Sequence, residues 1–260
     1  MTPSLKLLIP TAFLFLSGLF ACGEQGASLD STLALMNAKT FSADEPLAKA
    51  SVMIQFQQKG MENRCTGTRI APLWILTAAH CQASQYLITS YLGSHRQTAE
   101  QRSGEAVPLL ADAVTVDDWK ASHYEKPLSD LLLIRLNKAF ADDGQPPFVK
   151  LADASETLPQ GLYKAVGVGE HEGEVNINYE LKWTPVDGLE LSLPLHLVSA
   201  PGRKTNPGDS GGGLFYKRQD GSFEILAVHT GTADYRSRWT YVPAFRDIIL
   251  NAMKEVPLYL

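Results

Sequence analysis

Short segments of alternating polarity recur along most of this chain, and they limit the folds that it can adopt. Val52, Ile54 and Phe56 recur at every second position, which is the period of a half-buried strand. Further strand-like segments lie at 66–70, 74–77, 86–92, 113–116, 131–136, 163–168, 177–183, 191–198, 213–216, 224–230 and 239–242. Polar or Gly/Pro-rich segments separate them, including 93–104, 142–147 and 170–174. Many short strands with frequent turns predict an all-β fold, and periodicity alone leaves a barrel and a sandwich open.

The last segment changes period and predicts a C-terminal helix at about 244–254. Its apolar residues recur at helical spacing: Phe245, Ile248, Ile249, Ala252 and Met253. Pro243 stands just before the segment, where a proline is compatible with the start of a helix.

One glycine-rich stretch has the residues of a nucleophilic site. Residues 206–212 read Asn-Pro-Gly-Asp-Ser-Gly-Gly, with Ser210 between an acidic residue and glycines. A serine hydroxyl is a weak nucleophile until a base takes its proton. Glycines permit backbone conformations that can aim the N–H groups of Gly208 and Ser210 at one developing oxyanion. Taken alone, the stretch also fits an ordinary glycine-rich turn.

Two upstream stretches supply a base and an acid. Residues 74–81 are an apolar run that ends in His80 and Cys81, and residues 129–136 place Asp130 before another apolar run. Either residue alone fits a structural role. The three motifs in the order His, Asp, Ser resemble those of the trypsin-like (chymotrypsin-fold) serine proteases, here as a bacterial exported member. The resemblance extends from about residue 51 to about residue 253.

The resemblance implies both a fold and a reaction. The fold would be two six-stranded antiparallel β-barrels, at about 47–150 and 151–243 of a protease domain spanning 47–260, with the site between them. Ser210 would attack a peptide carbonyl, His80 would take its proton and donate it to the leaving amine, and Asp130 would orient the imidazole. The expected activity is that of a serine endopeptidase that acts on protein or peptide substrates through an acyl-enzyme. No cofactor is expected.

The cysteines are consistent with an exported protein. The resemblance implies a disulfide between Cys65 and Cys81, which an oxidising compartment permits. That leaves Cys22 as the odd cysteine of three. Residues 1–21 predict a signal peptide, with Lys6 before an apolar run too short for a comfortable transmembrane span.

Ala21 and Cys22 resemble the lipobox of bacterial lipoproteins, which implies lipidation of Cys22 and attachment to a membrane surface. Ordinary cleavage with secretion, or an uncleaved signal anchor, are the alternatives. The protein is therefore expected to be exported, and either lipid-anchored to the cell envelope or secreted. Residues 22–46, polar and rich in small side chains, predict a tether.

Asp209 raises a question about activation. In the family the matching acid pairs with a new N-terminus made by proteolysis, and that ion pair shapes the oxyanion hole. The expected Ile/Val-Val-Gly-Gly stretch is missing before the first strand here. A buried, unpaired carboxylate is costly, so Asp209 is expected to have a substitute cation, a different loop or a bound proton.

The resemblance places Lys204, His229 and Gly231 in the substrate pocket. A lysine at the pocket base would attract an acidic side chain and repel lysine or arginine, unless it points into solvent. His229 could interact with an acidic substrate group, or could line the pocket without a charge role.

Charge and histidine spacing exclude some other functions. The net charge of −5 and the pI of about 5.7 do not suggest a nucleic-acid partner. The remaining histidines show no convincing metal-ligand spacing, so no metal is expected. Two other functions stay open on the same scaffold: a catalytically silent, surface-anchored binding protein, and an esterase. A monomer is expected.

Overall fold

A computed structural model of the chain describes residues 38–109, 130–141, 148–153, 158–169, 178–192, 196–199, 205, 208–233 and 236–255. The described residues form a closed β-barrel, a second β-sheet and a short C-terminal helix. The predicted fold class is therefore confirmed.

The strands are β1 (Lys39–Thr40), β2 (Ser51–Gln58), β3 (Met61–Ala71), β4 (Trp74–Thr77), β5 (Tyr86–Leu92), β6 (His95–Pro108), β7 (Leu132–Leu136), β8 (Lys150–Leu151), β9 (Tyr163–Gly167), β10 (Lys182–Val186), β11 (Glu190–Ser192), β12 (His196–Val198), β13 (Gly213–Lys217), β14 (Phe223–Ala233) and β15 (Arg236–Tyr241). The helices are α1 (Pro46–Ala50) and α2 (Arg246–Glu255), with 3-10 turns at Ala79–Cys81 and Val242–Phe245.

The first lobe is an antiparallel barrel in the order β2-β3-β4-β7-β6-β5, closed by pairing of β5 with β2. Fully buried, branched side chains fill its interior: Val52, Ile54, Ile75, Ile88 and Ile134. Gly67 lies so close to them that a side chain there would collide with Ile54 and Ile75. The apolar residues whose alternation predicted β2 therefore lie on the inward face of this barrel.

The second lobe is a nine-stranded sheet with the path β1-β10-β9-β13-β14-β15-β12-β11, to which β8 adds in parallel beside β14. Its core contains Leu197, Leu214, Leu226 and Trp239, all buried. The nucleophile stretch directly precedes β13, and the chain returns beside it along β14. The second lobe thereby positions Ser210.

The most polar strand of the barrel differs from the sequence prediction. Residues 93–104 were predicted as a connection, yet most of them belong to β6, which pairs with β5 on one side and β7 on the other. Most described side chains of β6 are exposed or half-buried. Backbone pairing on both edges, rather than apolar burial, keeps this segment extended, so its composition does not predict a strand.

Two other predicted strands have different outcomes. Of the strand predicted at 177–183, only residues 182 and 183 belong to a strand, β10 (Lys182–Val186), and the described residues 178–181 before it are not extended into the sheet. The strand predicted at 113–116 lies outside the described residues.

The C-terminal helix α2 was predicted nearly in register. Ile249 on its packed face is fully buried, whereas Ile248 is 38% exposed. Neighbouring residues on a helix point about 100° apart, so Ile248 lies beside the packed face rather than on it.

Residues 38–45, which the sequence assigns to the tether, pack against both lobes. Lys39 pairs with Trp183 of β10 in the second sheet, and α1 packs against strands of the barrel. The buried Phe41 donates its N–H to the Ser94 hydroxyl, at 2.7 Å. That hydroxyl donates in turn to the Leu181 carbonyl oxygen, also at 2.7 Å, so Ser94 joins the barrel to the second lobe.

Candidate active site

His80 lies where β4 ends and the chain turns. The four residues of β4 are buried, and a 3-10 turn over Ala79–Cys81 follows, with His80 at its centre. A disulfide joins Cys81 to Cys65 of β3, with a Cα–Cα distance of 6.3 Å. The predicted disulfide is therefore present, and it anchors the turn that carries His80.

Asp130 holds His80 by two hydrogen bonds. The His80 backbone N–H donates to Asp130 Oδ1 at 2.9 Å, and Nδ1 donates to Oδ2 at 2.7 Å. Asp130 is only 3% exposed and lies just before β7, which pairs with β4. The carboxylate fixes both the ring orientation and the tautomer, which leaves Nε2 as the ring's acceptor.

The loop that carries Ser210 lies against β3 and the end of β4. The Thr66 N–H of β3 donates to the Ser210 carbonyl oxygen at 2.8 Å. Gly211 approaches Thr77 and Ala78 so closely that a side chain there would collide with them. Among the residues that the structure describes, no hydrogen bond joins the Ser210 hydroxyl to the His80 ring. Such bonds are often long in enzymes without substrate and shorten when one binds.

The backbone around Ser210 has the features of an anion site. Gly208 has φ +101° and Gly211 has φ +79°, a region that favours glycine. The Asp209 carbonyl oxygen accepts the Gly212 N–H at 2.9 Å. Within the described residues, the N–H groups of Gly208 and Ser210 have no acceptor, and both residues are partly accessible. Two such donors can bind a developing oxyanion.

Asp209 is 1% exposed, and its carboxylate Oδ1 accepts the Gly169 N–H at 2.8 Å. The carboxylate lies directly over Gly167, where any side chain would collide with it. A backbone N–H stabilises a buried carboxylate by a charge-assisted hydrogen bond. The sequence left three alternatives for Asp209: a substitute cation, a different loop or a bound proton. The contact with Gly169 is an example of the second, because the loop after β9 approaches the acid.

His229 lies beside residues 208–212, the nucleophile loop. Its backbone N–H donates to Gly212 O at 2.8 Å, and its carbonyl oxygen accepts the Gly211 N–H at 2.9 Å. Its ring contacts the Thr205 hydroxyl through Nε2 and meets Trp239 edge-on, with the ring centroids 5.8 Å apart.

Burial, and secondly the nearby His80, lower the pKa of His229 from 6.5 to about 3. The ring is therefore neutral at physiological pH in the absence of substrate. Gly231 lies on the same strand, paired with Arg238. Lys204 lies outside the described residues, so its placement in the pocket stays a prediction. Cys22 lies outside them as well.

Two residues that contact this site carry no motif in the sequence. The Thr66 hydroxyl donates to Gly208 O at 2.8 Å, and Thr205 contacts His229 and lies 3.0 Å from the Thr232 hydroxyl. Their only sequence signal was position, since Thr66 follows Cys65 and Thr205 lies five residues before Ser210.

Cys65, His80 and Cys81 bring their potential metal-binding atoms within 4.8 Å of one another. The two sulfurs are covalently joined, so they offer no thiolate to a metal in this form.

A family model described as Trypsin matches residues 40–249 of the chain. The chain is 24% identical to Proproteinase E of Bos taurus over 195 residues, which cover 68% of this chain and 76% of that protein. It is 25% identical to Chymotrypsin-like elastase family member 3B of Homo sapiens, covering 68% and 71%. It is 25% identical to Brachyurin of Leptuca pugilator, covering 71% and 85%.

No helix in the described ranges is both long and apolar enough to cross a membrane.

Proposed function

The chain belongs to the trypsin family of serine proteases, and we propose that it is an active serine endopeptidase with Ser210, His80 and Asp130 as catalytic residues. The observation that carries the proposal is the double hydrogen bond from His80 to Asp130, at 2.9 and 2.7 Å. The adjacent Thr66–Ser210 backbone bond supports it, because it ties the nucleophile's loop to the strand that the disulfide joins to the histidine turn.

The reaction would proceed through an acyl-enzyme. Ser210 Oγ attacks the scissile carbonyl while His80 Nε2 takes its proton, and Asp130 stabilises the imidazolium that forms. The N–H groups of Gly208 and Ser210 bind the oxyanion of the tetrahedral intermediate. His80 then protonates the leaving amine, and a water molecule, activated by the same imidazole, hydrolyses the ester.

A fluorophosphonate probe tests the proposal directly, because it reacts only with an activated serine. The mature protein should be labelled at Ser210 and should cleave a peptide library. Ser210→Ala should abolish labelling and lower kcat by at least about 10⁴-fold. A folded wild-type protein that neither reacts nor cleaves would contradict it.

The primary pocket would contain Lys204, His229 and Gly231 and would prefer acidic substrate side chains. A neutral His229 beside the Thr205 hydroxyl supports a polar pocket, since an entering carboxylate can be matched by protonation of the imidazole. Fluorogenic peptides with Glu, Asp, Arg or Phe before the cleaved bond test this preference. Fastest cleavage after Arg would contradict it.

A catalytically silent binding protein is the second candidate function. The missing activation stretch before β2 favours it. Peptide binding without turnover, together with absence of probe labelling, would support this candidate. An esterase would instead be labelled and would hydrolyse ester substrates but not the matching amides.

Export and lipid attachment at Cys22 are part of the same proposal. Mass spectrometry of the mature N-terminus should find residues 1–21 removed and an acylated Cys22. An unmodified mature protein in the medium would instead indicate secretion. Size-exclusion chromatography of the protein without its lipid should give a monomer.

A further inference from the structure

Thr66 of the barrel makes two direct hydrogen bonds to the nucleophile loop. It lies on β3, directly after Cys65, and is 1% exposed. Its N–H donates to Ser210 O at 2.8 Å, and its hydroxyl donates to Gly208 O, also at 2.8 Å. A single buried residue of the first lobe thus binds two carbonyl oxygens of the second lobe, on either side of Asp209.

The same hydroxyl also accepts a hydrogen bond. The Val168 N–H donates to Thr66 Oγ1 at 3.2 Å, and the next residue, Gly169, donates its own N–H to Asp209. The Thr66 hydroxyl therefore joins two segments of the second lobe, the loop after β9 and the nucleophile loop. Only a group that both donates and accepts can make these two bonds.

On the basis of the proposed proteolytic function, we infer that Thr66 is a positioning residue that holds the Gly208–Asp209 peptide unit, which lies between the two N–H groups of the oxyanion hole. Gly208 has φ +101° and no side chain to restrict it. A glycine has the largest set of accessible backbone conformations, so a hydrogen bond to its carbonyl oxygen restricts the orientation of the peptide unit that joins it to Asp209.

Three successive carbonyl oxygens of the nucleophile loop each accept a hydrogen bond. Gly208 O accepts from the Thr66 hydroxyl, Asp209 O from the Gly212 N–H, and Ser210 O from the Thr66 N–H. Because the N–H and C=O of one trans peptide unit point in opposite directions, binding Asp209 O also directs the Ser210 N–H. The loop's own Gly212 supplies one anchor, and Thr66 supplies the other two. The Thr66 side chain is the only one of these anchors that a substitution can remove without changing the backbone.

Thr66→Val removes the hydroxyl and keeps the shape of the side chain. Thr68→Val is the matched control, since Thr68 lies two residues along β3, is fully buried, and within the described residues its hydroxyl has no hydrogen-bond partner. Thr66→Ser restores the hydroxyl without the methyl group.

We expect Thr66→Val to lower kcat for a peptide amide by about 10- to 100-fold, less than the loss of a whole oxyanion donor, with KM changed less than about 2-fold. Binding of a peptide aldehyde, which forms an oxyanion with Ser210, should weaken by the same factor, whereas a non-reactive peptide should bind as before. Thr66→Ser should recover most of the activity, and Thr68→Val should match the wild type.

Several results would overturn the inference. These are an unchanged kcat in a folded Thr66→Val, an equal loss in Thr68→Val, or a loss carried by KM alone. If Thr66→Val does not fold, Thr66→Ala is measured in its place, and failure of both to fold assigns Thr66 a purely structural role. A wild-type protein without probe labelling at Ser210 would instead contradict the proposed function, which separates the two failures.

Discussion

At the scale of single residues, the Asp130–His80 pair has the most direct chemical consequence. Two hydrogen bonds hold the imidazole, and the buried carboxylate fixes its tautomer. An asparagine keeps the size of the side chain and can still accept from the backbone N–H. It loses the negative charge, and its amide NH2 group replaces the oxygen that accepts from the Nδ1–H of His80.

Asp130→Asn should therefore lower kcat by about 10⁴-fold, as the corresponding change does in related proteases. Steady-state kinetics with a peptide amide measure this. The melting temperature should stay close to that of the wild type, which separates a chemical loss from a folding defect. A loss smaller than about 10-fold would mean that Asp130 does not orient the base.

His229 should make stability depend on pH. Its pKa is lowered from 6.5 in the unfolded chain to about 3 in the folded protein. Below pH 6.5 the unfolded chain binds a proton that the folded protein does not bind until about pH 3. The stabilisation is therefore complete above pH 6.5 and is lost as the pH falls, at up to about 1.4 kcal/mol per pH unit.

Urea unfolding of the wild type and His229→Gln between pH 4 and pH 7 tests this prediction. Other groups titrate in both proteins and cancel in the difference of their unfolding free energies. That difference should grow in favour of the wild type as the pH rises to 6.5. A difference that is constant over this range would contradict the prediction.

At the scale of secondary-structure elements, the disulfide stabilises the pairing of β3 with the turn after β4. It closes a loop with a sequence separation of 16. Removing it by Cys65→Ala with Cys81→Ala should lower the free energy of unfolding by about 3 kcal/mol in the chain-entropy model. Urea unfolding of this variant and of the wild type, whose bridge is intact, measures the loss. A loss below about 1 kcal/mol would show that the barrel alone holds the turn.

The elements also show where periodicity is informative. The predicted strands at 74–77 and 86–92 coincide with β4 (Trp74–Thr77) and β5 (Tyr86–Leu92), because burial of apolar side chains selects an extended segment locally. The polar β6 has no such local signal, since its two neighbours in the barrel keep it extended.

At the scale of the whole molecule, the segment before β2 connects the two lobes. Glu45 precedes α1, which packs on the barrel, and its carboxylate lies 3.2 Å from Lys164 Nζ on β9 of the second sheet. The Lys164 ammonium also lies 4.0 Å from the centroid of the Trp183 ring. A largely buried cation thus depends on an acid from the N-terminal segment.

Glu45→Gln should lower the free energy of unfolding by about 1–2 kcal/mol, less than for a fully buried pair because Glu45 is 27% exposed. Glu62→Gln is the control, because it breaks the more exposed pair with Arg64 and should cost less than about 0.5 kcal/mol. Chemical denaturation of the three proteins gives both values. Equal losses would contradict a bridging role for Glu45.

From the sequence alone came the all-β class, the strands with apolar alternation, the C-terminal helix and the identities of His80, Asp130 and Ser210. These depend on short motifs and local periodicity, which neighbouring residues are enough to define. Their catalytic roles, like the pocket role of Lys204, stay predictions.

Only the tertiary structure decided the contact of Asp209 with Gly169, the pairing of β1 with β10 and the junction at Thr66. The Thr66 hydroxyl and Gly208 O lie 142 residues apart in the chain. No local pattern marks such a contact, because it forms only when the barrel and the second sheet bring the two segments together. Its energy comes from satisfying buried polar groups, whose partners a linear pattern does not specify.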